Sequence, residues 1–176
     1  MFEKISIIGR AAYAVCCLER FVKEQGYDAG EWQILLDKLW AFSEMEFVDE
    51  YANLVIDCNP DCILEFPDYH DAYGYQSDIS ERDFDALYQL YSQCEKVDTI
   101  TLIMDGIDDM LSPHLYTVNE PPARESLTVM ETELYPYLQT VVRTMPPVEA
   151  FAMYSICDNH CWGNFHSREE LTASLS

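Results

Sequence analysis

Apolar residues recur every three or four positions along most of this chain, which is the period of an amphipathic helix. The first such segment covers residues 4–25 and is followed by Gly26, a natural stop for a helix. A second segment begins after Asp28, and a third runs through residues 47–55 towards Asn59 and Pro60. These patterns predict three helices in the first third of the chain.

Two further helices are predicted in the middle of the chain. Ser80 with Asp83 approximates a capping box and predicts a helix through residues 84–94. Residues 97–111 begin with alternating β-branched side chains, as a strand would. Helical spacing nevertheless persists over the whole segment and no partner strand is evident, so a helix is favoured.

Prolines and glycines indicate where the remaining helices and the main loop begin, bend or end. Residues 123–145 form a long helical pattern that contains Pro136, where a kink or break is expected. Pro147 is expected to start a last helix that ends near residue 157, and the tail from about residue 163 is polar. Residues 58–79 hold Pro60, Pro67 and Gly74 and are predicted to form a long ordered loop. The whole chain, residues 1–176, is predicted to be a single all-α domain of six or seven helices.

The net charge of the chain narrows its possible functions the most. The chain has 32 acidic and 10 basic residues, a formal net charge of −22, whereas a small domain typically carries about 2 to 8 charges of either sign. Hydrophobic residues make up 49% of the chain, which is enough for a packed core. This balance excludes binding to nucleic acid through its phosphates and adhesion to an anionic membrane, because both need clustered lysine and arginine.

The compartment is inferred from cysteines and apolar stretches. The chain has seven cysteines, an odd number that includes the neighbours Cys16 and Cys17, which favours reduced thiols over a disulfide framework. Residues 5–9 are too short for the apolar core of a signal peptide, and no window is long enough for a membrane span. A cytoplasmic protein is expected.

The acids are concentrated in one run. Residues 39–81 contain 11 acids and no lysine or arginine, and tyrosines alternate with acids inside the predicted loop. Carboxylates steer a basic partner, and tyrosines supply rigid anchors, so this loop is the predicted face for a basic protein. The residues predicted to bind the partner are Asp61, Glu65, Asp68, Tyr69, Asp71, Tyr73, Tyr75 and Asp78. The alternatives are that the tyrosines pin the loop to the core, and that the acids serve solubility or a high-salt habitat.

Two clusters have residue types that bind metals. Asp105, Asp108 and Asp109 project together on a helix, which is faintly similar to the aspartate-rich Mg²⁺ motifs of isoprenoid enzymes. Only one such cluster occurs, so an exposed acidic helix face is favoured. The second set is Cys157, His160, Cys161 and His166. Their spacing matches no common zinc module, and free thiols are favoured there. No cofactor, metal site or catalytic residue is predicted.

A small, acidic, all-α chain without an active-site motif resembles the immunity proteins of bacterial polymorphic-toxin systems. The resemblance is carried by the helix at residues 32–40, the acidic run at residues 44–81 and the absence of catalytic signatures. It implies binding to one cognate toxin domain, often a basic nuclease, whose active site or substrate groove is covered. The alternatives are a phage- or plasmid-encoded nucleic-acid mimic that inhibits a nuclease, and a metal-dependent helical enzyme.

Overall fold

The fold is all-α, as predicted. The computed structural model describes residues 1–43, 48–73, 77–114 and 122–175, and these ranges contain no strand. The α-helices in them are α1 (Ile7–Glu24), α2 (Ala29–Trp40), α3 (Val48–Asp57), α4 (Pro60–Glu65), α5 (Tyr69–Tyr73), α6 (Glu81–Ser92), α7 (Val97–Leu111), α8 (Pro122–Val129), α9 (Tyr135–Val141) and α10 (Arg168–Leu175). Shorter 3-10 turns cover Ala41–Ser43, Ser112–His114, Val148–Met153 and Asn159–Cys161.

Helix α1 lies at the centre of the molecule. Its residues are buried continuously from Ile7 to Leu18, because it packs against α2, α7, α8 and the turn Val148–Met153. Small side chains allow this close packing: a Cβ atom at Gly9 would lie 2.4 Å from the Cβ of Tyr154. A helix surrounded in this way is buried on every side rather than along one stripe.

Helix α7 is the second central element, and the predicted choice of helix over strand is confirmed. Its inner face is buried against α1, α3 and α8. At Gly106, α7 packs tightly against Leu134, because a Cβ at this glycine would lie 2.7 Å from Cδ1 of Leu134. The helical period of residues 100, 103, 104, 107 and 111 therefore indicated the core face correctly.

The predicted N-terminal cap of α6 is confirmed, and α2 has an N-terminal cap of the same kind. Asp28 Oδ1 accepts a hydrogen bond from the backbone N–H of Gly30 at 2.7 Å. Ser80 Oγ accepts one from the N–H of Asp83 at 3.2 Å. Each bond satisfies an N–H group that the first helical turn would otherwise leave without a partner.

The interruption expected at Pro136 is a π-helical turn. Residues Met130–Leu134 form this turn between α8 and α9, and the N–H of Tyr135 donates to the carbonyl of Met130 five residues earlier. Pro136 has no N–H, so an α-helix would lack one hydrogen bond here. The wider turn lets the segment continue as helix on both sides of the proline.

Three sequence-based boundaries were wrong. Residues 58–79 are not an irregular loop throughout, because Asn59 caps α4 and residues 69–73 form α5. Pro147 precedes a 3-10 turn rather than an α-helix. The polar tail contains α10, held by the buried Leu171. Helices this short or this polar show too few apolar repeats to be recognised from periodicity, so the described helices outnumber the six or seven predicted.

Among the described helices, none combines the length and the apolar character that a membrane crossing would require.

Candidate protein-binding face

The acids of the predicted face are all on the surface. Asp61 and Glu65 lie on α4, and Asp78 lies in the segment before α6; each is exposed. Asp68 and Asp71 are exposed at the start of α5, where Asp68 Oδ1 accepts the N–H of Asp71 at 3.0 Å. These carboxylates are accessible to a partner.

The tyrosines contribute differently from the acids. Tyr69 is half-buried, and its ring centre lies 6.0 Å from that of the buried Phe84 in an edge-to-face arrangement. This contact holds α5 against α6, so much of the Tyr69 side chain is used inside the protein. The side chain of Tyr73 and the whole of Tyr75 lie outside the described residues.

Asp57, at the end of α3, binds the segment that precedes α6. Its Oδ2 atom accepts hydrogen bonds from Ser77 Oγ and from the N–H of Asp78, both at 2.8 Å. The two carboxyl groups of Asp57 and Asp78 are therefore neighbours. Burial, with repulsion from Asp57, raises the pKa of Asp78 above its ordinary value.

A hydrogen bond between Asn59 and Asp105 joins this region to α7. Nδ2 of Asn59, the residue that caps α4, donates to Oδ1 of Asp105 at 2.8 Å. Burial and the negative charges of Asp61 and Asp108 raise the pKa of Asp105 despite this bond. Asp61 belongs to the base-free run at residues 39–81 and Asp105 to a second one at residues 97–123, so acids from two distant stretches meet at one place.

The carboxylates continue along α7. Burial, followed by the charges of Asp108, Asp105 and Glu133, raises the pKa of Asp109. Asp108 itself accepts a hydrogen bond from Ser112. The predicted geometry of the three aspartates, which project together from one helix, is thus consistent with the mutual repulsion of their charges.

Cys62 lies among these carboxylates. Its side chain is half-exposed on α4, and burial together with Asp57, Asp61, Glu65 and Asp105 raises the pKa of its thiol. We define the acidic face as the carboxylates grouped around Cys62 and along α7: Asp57, Asp61, Glu65, Asp78, Asp105, Asp108 and Asp109. Within the described residues, no lysine or arginine is among the groups that shift the pKa of Asp78, Asp105 or Asp109.

The basic side chains with resolved contacts bind other parts of the protein. Lys38 Nζ contacts Asp83 Oδ2 at 2.7 Å and joins α2 to α6. Arg168 pairs with Glu19, and Arg20 donates to the carbonyl of Thr144 at 2.7 Å. The closest contacts of these three bases are therefore outside the acidic face.

Sequence reasoning found only part of this face. Asp61, Glu65 and Asp78 were among its predicted residues, whereas Asp57 was not chosen and Asp105, Asp108 and Asp109 were considered apart from it. The signal that links them was present: both groups lie in stretches without lysine or arginine. Their contact depends on the packing of α4 against α7, which local patterns do not report.

Neither metal-like set converges in the part of the chain that the structure describes, where no three or more His, Cys, Asp or Glu side chains are arranged to hold a metal ion. Asn159, His160 and Cys161 form a turn with positive φ angles. Nδ1 of His166 lies 3.5 Å from Glu170. All seven cysteines are free.

Comparison of the chain with protein-family models, with curated proteins and with solved structures gave no match. The acidic face is therefore the feature on which a function for this chain has to be argued.

Proposed function

We propose that this chain is an immunity protein that acts in the bacterial cytoplasm, where it binds a basic toxin domain and covers its active site or substrate groove. The observation that carries the proposal is the acidic face, in which carboxylates from α3, α4 and α7 are grouped together. In the proposed complex, these carboxylates replace the phosphates that a basic groove of the toxin normally contacts.

The charge arrangement suits recognition better than it suits stability. Burial and then neighbouring carboxylates raise the pKa of Asp105 and Asp109, and the folded chain carries the cost of this repulsion. A basic partner relieves the repulsion when it binds, which adds to the affinity. The same field accelerates association and makes the rate fall as salt is added.

The test uses two variants that remove the same amount of charge. The face variant carries Asp61→Asn, Asp105→Asn and Asp109→Asn. The control variant carries Asp85→Asn, Glu95→Gln and Glu125→Gln, three exposed acids outside the acidic face. Each immobilised protein is incubated with lysate of the source bacterium, and bound proteins are identified by mass spectrometry.

The expected result is a basic protein retained by wild type and by the control variant, and lost from the face variant. Expression of that protein alone should arrest bacterial growth, and coexpression of wild type or the control variant should restore it. A captured protein without toxicity, or equal rescue by both variants, would contradict the proposal.

A further inference from the structure

Two large apolar side chains face solvent beside the acidic face. Leu102 on α7 is 51% exposed and Ile56 on α3 is 38% exposed. Met1, at the chain terminus, is the one other large hydrophobic residue so exposed in the described ranges. The remaining aliphatic side chains of α3 and α7 mostly point into the core, which makes these two exceptions informative.

Leu102 lies in the middle of the outer strip of α7. Asp98 is one turn before it, and Asp105 and Asp109 are one and two turns after it; these positions share a helix face at spacings of three and four residues. Asp98 and Asp109 are exposed and Asp105 is half-buried. The outer side of α7 therefore presents one leucine flanked by carboxylates.

Ile56 approaches the same place from α3. It precedes Asp57 directly, and its carbonyl accepts the N–H of Asn59 at 2.9 Å. Asn59 in turn bonds Asp105 at 2.8 Å, and Asp105 is one turn from Leu102. Both apolar side chains thus lie within about one helical turn of the Asn59–Asp105 contact.

From this arrangement we infer that the outer strip of α7, together with Ile56, is the centre of a docking surface for a basic protein. The partner's contact surface would carry an apolar patch between its lysine and arginine residues, so that Leu102 and Ile56 pack there while the acidic face pairs with the bases. This inference rests on the proposed function and specifies which residues would make the tightest contacts. Interaction hot spots lie near the centre of an interface, surrounded by contacts that exclude water, and Leu102 and Ile56 would take that position.

Charge complementarity selects the occupant. A second copy of this chain would bring the same carboxylates against one another, and like charges in contact cost several kcal/mol. A basic partner instead neutralises the acids and removes the two apolar side chains from water in one step. The structure therefore favours a basic protein over self-association.

The test uses two synthetic probes that separate charge from apolar contact. One is an amphipathic helical peptide of lysine and leucine, and the other is poly-lysine with the same number of lysines. Wild type should bind the lysine–leucine peptide about tenfold more tightly than poly-lysine. Leu102→Gln with Ile56→Gln should reduce this preference to about twofold or less. Leu102→Met, which keeps an apolar side chain, should retain it.

Cysteine footprinting locates the bound peptide. Cys62 lies in the acidic face and is half-exposed, whereas Cys157 is exposed near the C-terminal 3-10 turns. Bound lysine–leucine peptide should slow maleimide labelling of Cys62 and leave that of Cys157 unchanged. Equal slowing at both thiols, or an unchanged preference in the double variant, would overturn the docking surface. A wild-type dimer that Leu102→Gln dissociates would also overturn it, because the strip would then join two copies.

The growth assay separates this inference from the proposed function. Rescue that requires Asp105 but not Leu102 or Ile56 contradicts the docking surface and supports toxin neutralisation through the charges alone. Peptide preference that depends on Leu102, combined with no growth rescue, supports the docking surface and contradicts the immunity function.

Discussion

The centre of α1 and the acidic face differ in where their charged side chains lie and in what these side chains contact. In α1, Arg10 is fully buried. Its Nη1 donates to the carbonyl of Ala123 at 2.6 Å and its Nη2 donates to the carbonyl of Phe2 at 3.2 Å. Burial lowers the pKa of Arg10 to about 10. On the acidic face, carboxylates are instead grouped at the surface with one another.

The difference is that the acidic face groups carboxylates with one another, whereas the charge of Arg10 is held by hydrogen bonds. A chain with 32 acids binds its buried arginine through two backbone carbonyls. Glu131 is the carboxylate that acts on Arg10, and it accepts the N–H of Phe2 at 3.0 Å. Bases placed among the grouped acids would have relieved their repulsion. The proposed basic partner would account for the grouping of acids on one face.

The largest expected effect is at the close packing of α1. Gly9→Ala places a Cβ 2.4 Å from the Cβ of Tyr154 and 2.6 Å from Cγ2 of Ile5, so the backbone has to shift. We expect a loss of about 3 kcal/mol in the free energy of unfolding. Urea unfolding followed by circular dichroism measures it. The control is Gly30→Ala in the exposed first turn of α2, which should change stability by about 1 kcal/mol or less.

Arg10→Met tests whether the buried guanidinium stabilises the fold. The variant leaves the carbonyls of Phe2 and Ala123 buried without their donor, and we expect a loss of about 2 kcal/mol. Arg20→Met removes one bond to Thr144 in an exposed setting and should cost about 1 kcal/mol or less. A more stable Arg10→Met protein would mean that burying the charge costs more than its hydrogen bonds contribute.

Removal of charge from the acidic face should increase the free energy of unfolding rather than lower it. Asp105→Asn keeps an acceptor for Asn59, and both it and Asp109→Asn relieve repulsion. Since solvent screens these partly exposed groups, we expect a gain of about 0.5 kcal/mol for each. Thermal unfolding measures the gain, and it also shows that loss of growth rescue in the face variant is not caused by unfolding.

Asp83→Asn is the matched control for these variants. Lys38 holds the pKa of Asp83 below its ordinary value although burial opposes this, so its removal should destabilise the protein. A gain in stability from Asp83→Asn would contradict the contrast between a paired carboxylate and the crowded ones.

The pH dependence of stability follows from the direction in which the pKa values of the acidic face are shifted. Asp78, Asp105 and Asp109 have pKa values raised above the unfolded value, so the folded state binds their protons more tightly than the unfolded state does. Their unfavourable contribution therefore disappears as the pH falls through the raised values. The advantage of Asp105→Asn and Asp109→Asn over wild type should shrink as the pH is lowered from about 7 to about 4, the ordinary pKa of an aspartate. A constant advantage over this range would show that repulsion is not its cause.

The smallest expected effect is on the reactivity of Cys62. Burial and four carboxylates raise the pKa of its thiol, so maleimide should label it more slowly than the exposed Cys157. Added salt screens the carboxylates and should accelerate labelling of Cys62 by about threefold, but not that of Cys157. A rate for Cys62 that does not respond to salt would place its carboxylate neighbours too far away to matter.

Local sequence patterns predicted the helices whose signals are local. Asp28 and Ser80 cap α2 and α6, and the repeat of apolar residues over 97–111 distinguished helix from strand. Helix α4 has only six residues, and α10 is polar except for Leu171, so neither carries a repeat that periodicity detects. In the candidate site, the exposed acids of α4 were predicted, whereas Tyr69 turned towards Phe84 because ring packing is a tertiary contact.

The sequence by itself determined the all-α class, the excess of acid and the stretches without a base. It did so because helical periodicity and net charge depend only on the order and number of residues. Tertiary structure alone decided that α4 packs against α7, that Asn59 bonds Asp105, and that the acids of two distant stretches share one face. It also decided that Leu102 faces solvent, since exposure depends on which side of a helix its neighbours cover.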